Sequence, residues 1–370
     1  MEKIKVLLIA ASLKIGGAEK VARDISLYAP LGRYEFHYVV FGDSIGAYES
    51  QVQEKGHKVF HFPEPSKNYL RFLWNLLSLM KENKYQIVHA HNMFNCGLTM
   101  LAAAMAGVPV RIVHSHSALN NGGGIVKQIY EAVMRFLILS CGTDYIACST
   151  AAGKRLFGNK VFEQKVRLIL NGIDVQLFAY DQSKREQIRC QHSLQDCFAL
   201  GHAGHLAEVK NQSFLLDLMP LILEKQPDAV LLLLGEGEDR PMLEQKIRDM
   251  HLEDHVVMTG NVTNVADYLS AMDVFVFPSL FEGMPLSILE VQANGLPCVI
   301  SDSVPADVFV TDLIHPMFLA EPKAKWAETI CSQERKDMDG YNERMRHSDY
   351  TVENAMAKIY QIYEKGTGCD

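Results

Sequence analysis

Val274-Phe-Val-Phe-Pro-Ser-Leu-Phe-Glu282-Gly-Met-Pro-Leu-Ser-Ile-Leu-Glu290 is the most informative stretch of this 370-residue chain. Residues 274–278 are apolar and strand-like, Gly283 and Pro285 make a turn, and Leu286 onward reads as a helix ending near Gly295 and Pro297. Glu282 therefore sits in the loop at the carboxyl end of a strand, and Glu290 about one turn into the helix that follows. In an open α/β sheet, ligands bind at that rim. Acid groups there meet hydroxyls, so the segment predicts a polyhydroxylated ligand. The bland alternative is two acids complementing the helix dipole. Seven intervening residues that include a glycine and a proline make a more specific pattern than that.

Outward from this stretch, strands alternate with helices. Strand patterns fall at 6–11, 36–41, 58–62, 87–91, 110–114, 145–149 and 166–170, with helical spacing at 18–29, 70–82, 97–106 and 124–140. A polar stretch follows at 180–196, and the alternation restarts with strands at 198–203, 230–234, 256–259, 274–277 and 297–301. Such alternation implies parallel sheets with right-handed crossovers. The expected architecture is α/β, with two doubly wound domains at 1–178 and 190–348. A final helix at about 350–366 follows a charged segment and is free to pack back on the first domain.

Hydrophobic residues make up 48% and charged residues 22%, as in an ordinary soluble protein. The net charge of −8 is unevenly spread: 20 Lys and Arg stand against 13 Asp and Glu up to Tyr180, and 16 against 31 beyond it. A basic first half suits an anionic membrane surface or a phosphorylated substrate, and no nucleic acid is expected as a partner. The eight cysteines are scattered without a C-x-x-C pair, which points to buried thiols in a reducing, cytoplasmic compartment. The apolar part of the N-terminus is too short for a signal peptide, and no run reaches the ~18 apolar residues of a membrane span.

Several other segments are suited to chemistry. Gly16-Gly17-Ala18-Glu19 follows the first strand, where free N–H groups at a helix start favour anions, or where a plain turn would do. It is not G-x-G-x-x-G, which counts against a nicotinamide enzyme. His89 and His91 end one strand, and His114 and His116 end the next. Two His-x-His pairs suggest a metal site, but no carboxylate or cysteine nearby in sequence completes a ligand set. The expectation is therefore no metal, with His116 facing a ligand and the other three structural. Asn171-Gly-Ile-Asp174 reads as a tight turn. Gly204-His205, Lys210 and Asn211 precede a helix, and a lysine so placed is a phosphate ligand or a solvated helix-start residue. Gly235-Glu-Gly237 makes another flexible loop at the same rim, passing close to a base or serving as a turn.

Taken together, these segments resemble a retaining glycosyltransferase of family four with the GT-B fold, over nearly the whole chain. The phrasing is closest to enzymes of bacterial capsule and exopolysaccharide assembly. The resemblance carries implications for the site. Two Rossmann-like domains would face a cleft, the second holding a nucleoside diphosphate sugar and the first the acceptor. Glu290 would accept hydrogen bonds from the ribose, and Glu282 would face the donor sugar. Lys210 would neutralise the diphosphate, helped by backbone N–H groups at Gly17 and after Glu282. Gly16, His205, Asn211, Gly235 and the segment Gly283-Met284-Pro285-Leu286 complete the donor site. His116 would approach the sugar from the first domain. Glu282, His116 and Lys210 are the implied catalytic groups, and no metal or other cofactor is implied. The acceptor would be polyprenyl-diphosphate-linked or an oligosaccharide, on the inner face of the cell membrane. The segment Lys67-Asn-Tyr-Leu-Arg-Phe-Leu-Trp-Asn-Leu-Leu-Ser-Leu-Met-Lys81 mixes basic and aromatic residues as interfacial helices do, while also suiting a partly buried helix.

One departure matters. The family usually has an arginine where His205 stands. Arginine offers a permanently charged fork to a diphosphate, and its loss is worth roughly 1.5–3 kcal/mol. Two alternatives follow: a sugar-nucleotide-binding protein with weak or no transfer, and a sugar-nucleotide epimerase on the same scaffold.

Overall fold

The computed structural model describes residues 3–117 and 124–368. Seven cysteines are free thiols, and Cys369 lies outside the described residues. The chain divides into two compact units, residues 1–172 with 352–370, and residues 173–351.

The first unit is built on β1 (Ile4–Ile9), β2 (Tyr34–Phe41), β3 (Lys58–Phe62), β4 (Ile87–Ala90), β5 (Val110–Ser115), β6 (Asp144–Ala147) and β7 (Val166–Leu168). They form one parallel sheet in the order β3-β2-β1-β4-β5-β6-β7. The central strands β1 and β4 are almost wholly buried because helices cover both faces. On one face Val6 and Leu8 pack with Ile25 of the helix Gly17–Leu27 and with Ile359 and Tyr363 of the helix Val352–Thr367. On the other, Leu7, Ile9 and Val88 pack with Phe72, Met100 and Ile138 from the helices Tyr69–Asn83, Cys96–Met105 and Ile125–Cys141. The final helix is thus part of the first unit. Its Tyr360 stacks on Tyr34 with ring centroids 5.4 Å apart and donates its hydroxyl to the Ile25 carbonyl.

The second unit carries β8 (Ala199–Ala203), β9 (Val230–Leu234), β10 (Val256–Gly260), β11 (Val274–Phe277), β12 (Cys298–Ser301) and β13 (Ile314–Met317). Their order is β10-β9-β8-β11-β12-β13, again parallel. Strand order reverses between β1 and β4 in one sheet and between β8 and β11 in the other. Such a switch point leaves a crevice at the carboxyl ends of the strands.

Three features depart from the sequence reading. β13 and the helices Lys323–Cys331 and Met338–Arg346 occupy what reads as a charged segment. The polar stretch at 180–196 contains the helix Gln182–Gln191, whose inward face carries Ile188 and two arginines. Arg185 and Arg189 reach Asp273 at 2.6 and 3.2 Å, and Arg189 donates to the Ala271 carbonyl at 2.9 Å. Residues 173–181 join the second unit: Asn342 Nδ2 donates to the Val175 carbonyl at 2.9 Å and Asn294 Nδ2 to that of Phe178 at 3.1 Å. The chain enters this unit at Ile173 and leaves it at Thr351, side by side, with Ile173 N donating to the Tyr350 carbonyl at 2.8 Å. No helix among the described residues is long and apolar enough to cross a membrane.

Candidate functional site

In the second unit, the two loops flanking the switch point are fastened together. Asn211, in a left-handed conformation (φ 56°), ends a 3-10 turn and donates its Nδ2 to the Pro278 carbonyl at 3.1 Å. Leu280 N donates to the Val209 carbonyl at 2.8 Å. These bonds bring Lys210 to Glu282: Nζ lies 2.7 Å from Oε1 and 5.0 Å from the centroid of the Phe277 ring. The Glu282 side chain is 9% exposed and that of Lys210 21%. Gly283 is exposed, Met284 half-buried, and Pro285 caps the helix Leu286–Ala293, in which Glu290 lies about one turn in.

His205 is turned elsewhere. It is 63% exposed, with Nε2 2.7 Å from Glu238 Oε2. Glu238 was not foreseen, because only folding of the loop after β9 against the loop after β8 brings the two together. That contact explains Gly235 (φ 135°): a Cβ there would meet the Gly204 carbonyl oxygen at 2.0 Å. Leu206 N also donates to the Glu236 carbonyl at 2.9 Å. The Asp-x-Asp triplet Asp337-Met-Asp339 follows no strand and opens the helix Met338–Arg346, with Asp337 3.9 Å from Arg344.

Beneath Lys210 lies His202, fully buried beside Phe277 with ring centroids 5.5 Å apart. Its Nδ1 donates to the Val276 carbonyl at 3.0 Å, and Gln212 Nε2 stands 3.3 Å from its Nε2. Burial, against the opposing effect of the Val276 carbonyl, pushes its pKa down to about 4. The unfolded chain takes up this proton near pH 6.5, and the folded chain only near 4. The contribution to stability is thus complete above about pH 6.5 and falls as the pH drops toward 4, by about 1.4 kcal/mol per unit. In urea unfolding, the stability lost between pH 7 and pH 5 is expected to be about 2 kcal/mol smaller in His202→Gln than in the parent. Equal losses would remove His202 from this role.

In the first unit, Gly16 is the extended N-cap of the helix Gly17–Leu27. A Cβ on Gly17 would meet nothing within 4 Å, whereas one on Gly16 would lie 2.4 Å from Glu19 Oε2. Burial raises the Glu19 pKa, while its own backbone N–H and Ser12 oppose the rise. An acid group therefore already occupies part of this helix start. The four strand-end histidines converge, because β4 and β5 are neighbours and Ala90 pairs with Val113. His116 Nε2 lies 2.8 Å from His91 Nδ1, and burial holds the His116 pKa far below the ordinary imidazole value, so its ring is neutral at pH 7. A cleft of ≈ 340 Å³ at the rim of β1 and β2 is lined by Ala11, Phe41, Glu64, Tyr69, Asn95 and Tyr130. Beside it, two helices present apolar faces outward: Leu70 and Trp74 on one, and Ile125, Val126, Ile129, Val133 and Phe136 on the other. The second stripe escaped the sequence reading because that helix is apolar on its inner face as well.

Two family models match the chain: Glycosyltransferase Family 4 over residues 15–177 and Glycosyl transferases group 1 over residues 197–332. EpsF of Bacillus subtilis (strain 168) is 32% identical over 375 residues, 99% of this chain and 98% of that protein. The UDP-Gal:alpha-D-GlcNAc-diphosphoundecaprenol alpha-1,3-galactosyltransferase of Escherichia coli is 32% identical over 63% of this chain and 62% of its own. Anabaena Alr3699/HepE, solved in complex with UDP-glucose, has the same fold, with a TM-score of 0.80 and 21% identity over 98% of this chain and 100% of that one. Two parallel sheets of this topology, with these relatives, define a GT-B glycosyltransferase. The chain belongs to glycosyltransferase family 4.

Proposed function

We propose that this enzyme transfers a hexose-type sugar from a nucleoside diphosphate sugar to a polyprenyl-diphosphate-linked or oligosaccharide acceptor in bacterial capsule or exopolysaccharide assembly, with retention of anomeric configuration. The observation that carries the reading is the Lys210–Glu282 pair at the switch point of the second sheet. An ammonium and a carboxylate held together there suit the two halves of a sugar nucleotide. On donor binding, Lys210 turns to the diphosphate, Glu282 takes sugar hydroxyls, and Glu290 takes those of the ribose. The acceptor hydroxyl attacks the anomeric carbon from the face the diphosphate leaves. The bond to the phosphate oxygen breaks, and that oxygen takes the hydroxyl's proton. Lys210 and backbone N–H groups of Gly283, Met284 and Leu286 offset the charge that develops. Lys210 supplies the countercharge, so we assign no metal to this step. His116, as a neutral hydrogen-bonding group, is assigned to the sugar. The acceptor class is supported by the E. coli relative, whose name specifies a diphosphoundecaprenol-linked sugar. A panel of sugar nucleotides tests the reading by thermal shift and by transfer of labelled sugar. A bound donor at a hundredfold its Kd adds about 2.7 kcal/mol, and a panel with neither shift nor transfer rejects the proposal.

The His205–Glu238 pair favours a weakened diphosphate site, since the histidine already has an acidic partner. His205→Arg is therefore expected to raise kcat/KM by about tenfold or more, following the roughly 1.5–3 kcal/mol of a charge-assisted hydrogen bond. An unchanged value would take this position out of the diphosphate site. Donor binding without transfer, in both proteins, would make the chain a sugar-nucleotide-binding protein instead.

We further propose that the first unit docks on the cytoplasmic face of an anionic membrane. Trp74, 67% exposed, and the outward stripe from Ile125 to Phe136 supply the apolar contact. Lys67, Arg71 and the basic balance of the first half supply the charge. In flotation assays the enzyme is expected to rise with vesicles containing phosphatidylglycerol, less so at high salt, and Trp74→Ser with Ile129→Ser is expected to abolish this. Equal flotation of the double variant would reject the assignment.

A further inference from the structure

The histidine cluster of the first unit has a property that sugar transfer does not use. His89, His91 and His114 are 0–4% exposed, and their rings lie 4.4–5.4 Å apart, centroid to centroid. Nδ1 of His89 lies 2.9 Å from the Tyr363 hydroxyl, and Nδ1 of His91 lies 2.8 Å from His116 Nε2. On both residues Nε2 is buried with no hydrogen-bond partner, and on His114 both ring nitrogens are. A buried polar atom left unpaired costs about 1–3 kcal/mol, and folded proteins seldom carry several together without an ion or water that pairs them.

We infer that His89, His91 and His114 form a binding site for a divalent late first-row transition metal of the zinc class, held by imidazole nitrogen alone. This site is distinct from the Lys210–Glu282 pair and independent of the donor reading. The ligand type is right, since neutral imidazole suits zinc, copper and nickel, and three histidines with a fourth position for water form a known zinc set. The backbone placement is right as well: His89-x-His91 at one strand end and His114 on the neighbouring strand present three rings on one face. The candidate nitrogens all lie within 4.8 Å of one another. A tetrahedral site with bonds of about 2.0–2.1 Å sets its nitrogens roughly 3.4 Å apart, so the farthest pair would close by up to about 1.4 Å, and the His89 and His114 rings, 13° from parallel, would turn to do so.

The outer contacts fit too. A metal-bound imidazole donates its other N–H to a fixed acceptor. With Nε2 on the metal, His89 Nδ1–H would point at the Tyr363 oxygen and His91 Nδ1–H at His116 Nε2. That bond would leave the His116 proton on Nδ1, fixing its tautomer. Imidazole binds a metal in its neutral form, through the lone pair of an unprotonated ring nitrogen. The metal would tie β4 to β5 and, through Tyr363, to the final helix.

The test uses tag-free, full-length protein from cells grown with added zinc, dialysed against buffer passed over a chelating resin. Elemental analysis is expected to find about one zinc per chain, and X-ray absorption three or more nitrogen neighbours at about 2.0–2.1 Å. His89→Phe with His114→Phe is expected to lose the metal while binding nucleotide as before. A variant that fails to fold leaves the decision with the parent protein. A parent that holds less than about a tenth of an equivalent after growth with zinc and with cobalt overturns the proposal. So does a metal with sulfur or carboxylate neighbours, or a double variant that keeps its full complement. Because the readout is metal content, failure here leaves sugar transfer unaffected, and failure of transfer leaves this site unaffected.

Discussion

Lys210→Ala is expected to lower kcat for sugar transfer about 10²–10³-fold, the loss that follows removal of one pre-positioned donor from a developing anion. The ammonium is partly exposed and held by a single carboxylate, so it can be redirected to a diphosphate without unfolding anything. Alanine also strips the neighbour from Glu282, whose side chain is nearly buried, and some stability goes with it. The informative comparison is therefore Lys210→Met with Glu282→Gln, which removes both charges and keeps the volume. That double variant is expected to melt within a few degrees of the parent and to be as inactive as Lys210→Ala. The split between kcat and KM separates roles: loss of a group that acts on the leaving diphosphate falls mainly on kcat, whereas loss of a ground-state contact falls on KM. Transfer of labelled sugar at parent rates by either variant would show that the pair is not the catalytic site.

Deletion of residues 352–370 is expected to abolish folding of the first unit while leaving the second intact. The helix Val352–Thr367 buries Val352, Ala355, Met356, Ile359, Ile362 and Tyr363 against the first sheet. Removing Tyr363 alone, by substitution with alanine, is expected to cost about 3–5 kcal/mol, as for other buried aromatic residues. Its hydroxyl contact with His89 goes as well. A domain with about 5–15 kcal/mol in hand does not survive loss of the whole helix. Limited proteolysis should then leave a resistant core running from near residue 173 to residue 351. An unchanged first-unit melting transition in the truncated protein would sink this expectation.

Much of the site was legible because it follows from local rules. The apolar run from Val274 to Phe277, the turn at Gly283 and Pro285, and the helix after it each have a short-range cause, so Glu282 and Glu290 could be placed from sequence. The resemblance put Lys210 and Glu282 in one donor site with separate roles; their pairing appears only in the structure, through the Asn211 and Leu280 bonds. What escaped depends on partners distant in sequence. The helix Gln182–Gln191 hides behind its arginines, whose value lies in Asp273 and the carbonyls near it. β13 carries Pro316 in a four-residue run, tolerable because the strand sits at the sheet edge, where the N–H that proline lacks is not required by a further strand. The histidines looked like two separate pairs until β4 and β5 were paired. Neighbours in sequence do not reveal that the His114 ring comes to lie beside those of His89 and His91.

The return of the chain at Thr351 has a consequence for how the protein is made. A ribosome delivers β1 through β7 first, yet the sheet they form lacks one of its coverings until residues beyond 351 emerge. The second unit, contiguous from 173 to 351, has all its parts earlier. Folding during synthesis therefore runs against the usual order in which the N-terminal domain closes first. Prematurely terminated chains carry an unfinished first unit, and the outward apolar stripes of its helices arrive alongside a bare sheet face. For this protein the time between the two events is a window for chaperones, and a stop codon shortly before Val352 has the character of an aggregation mutation rather than a trimmed tail.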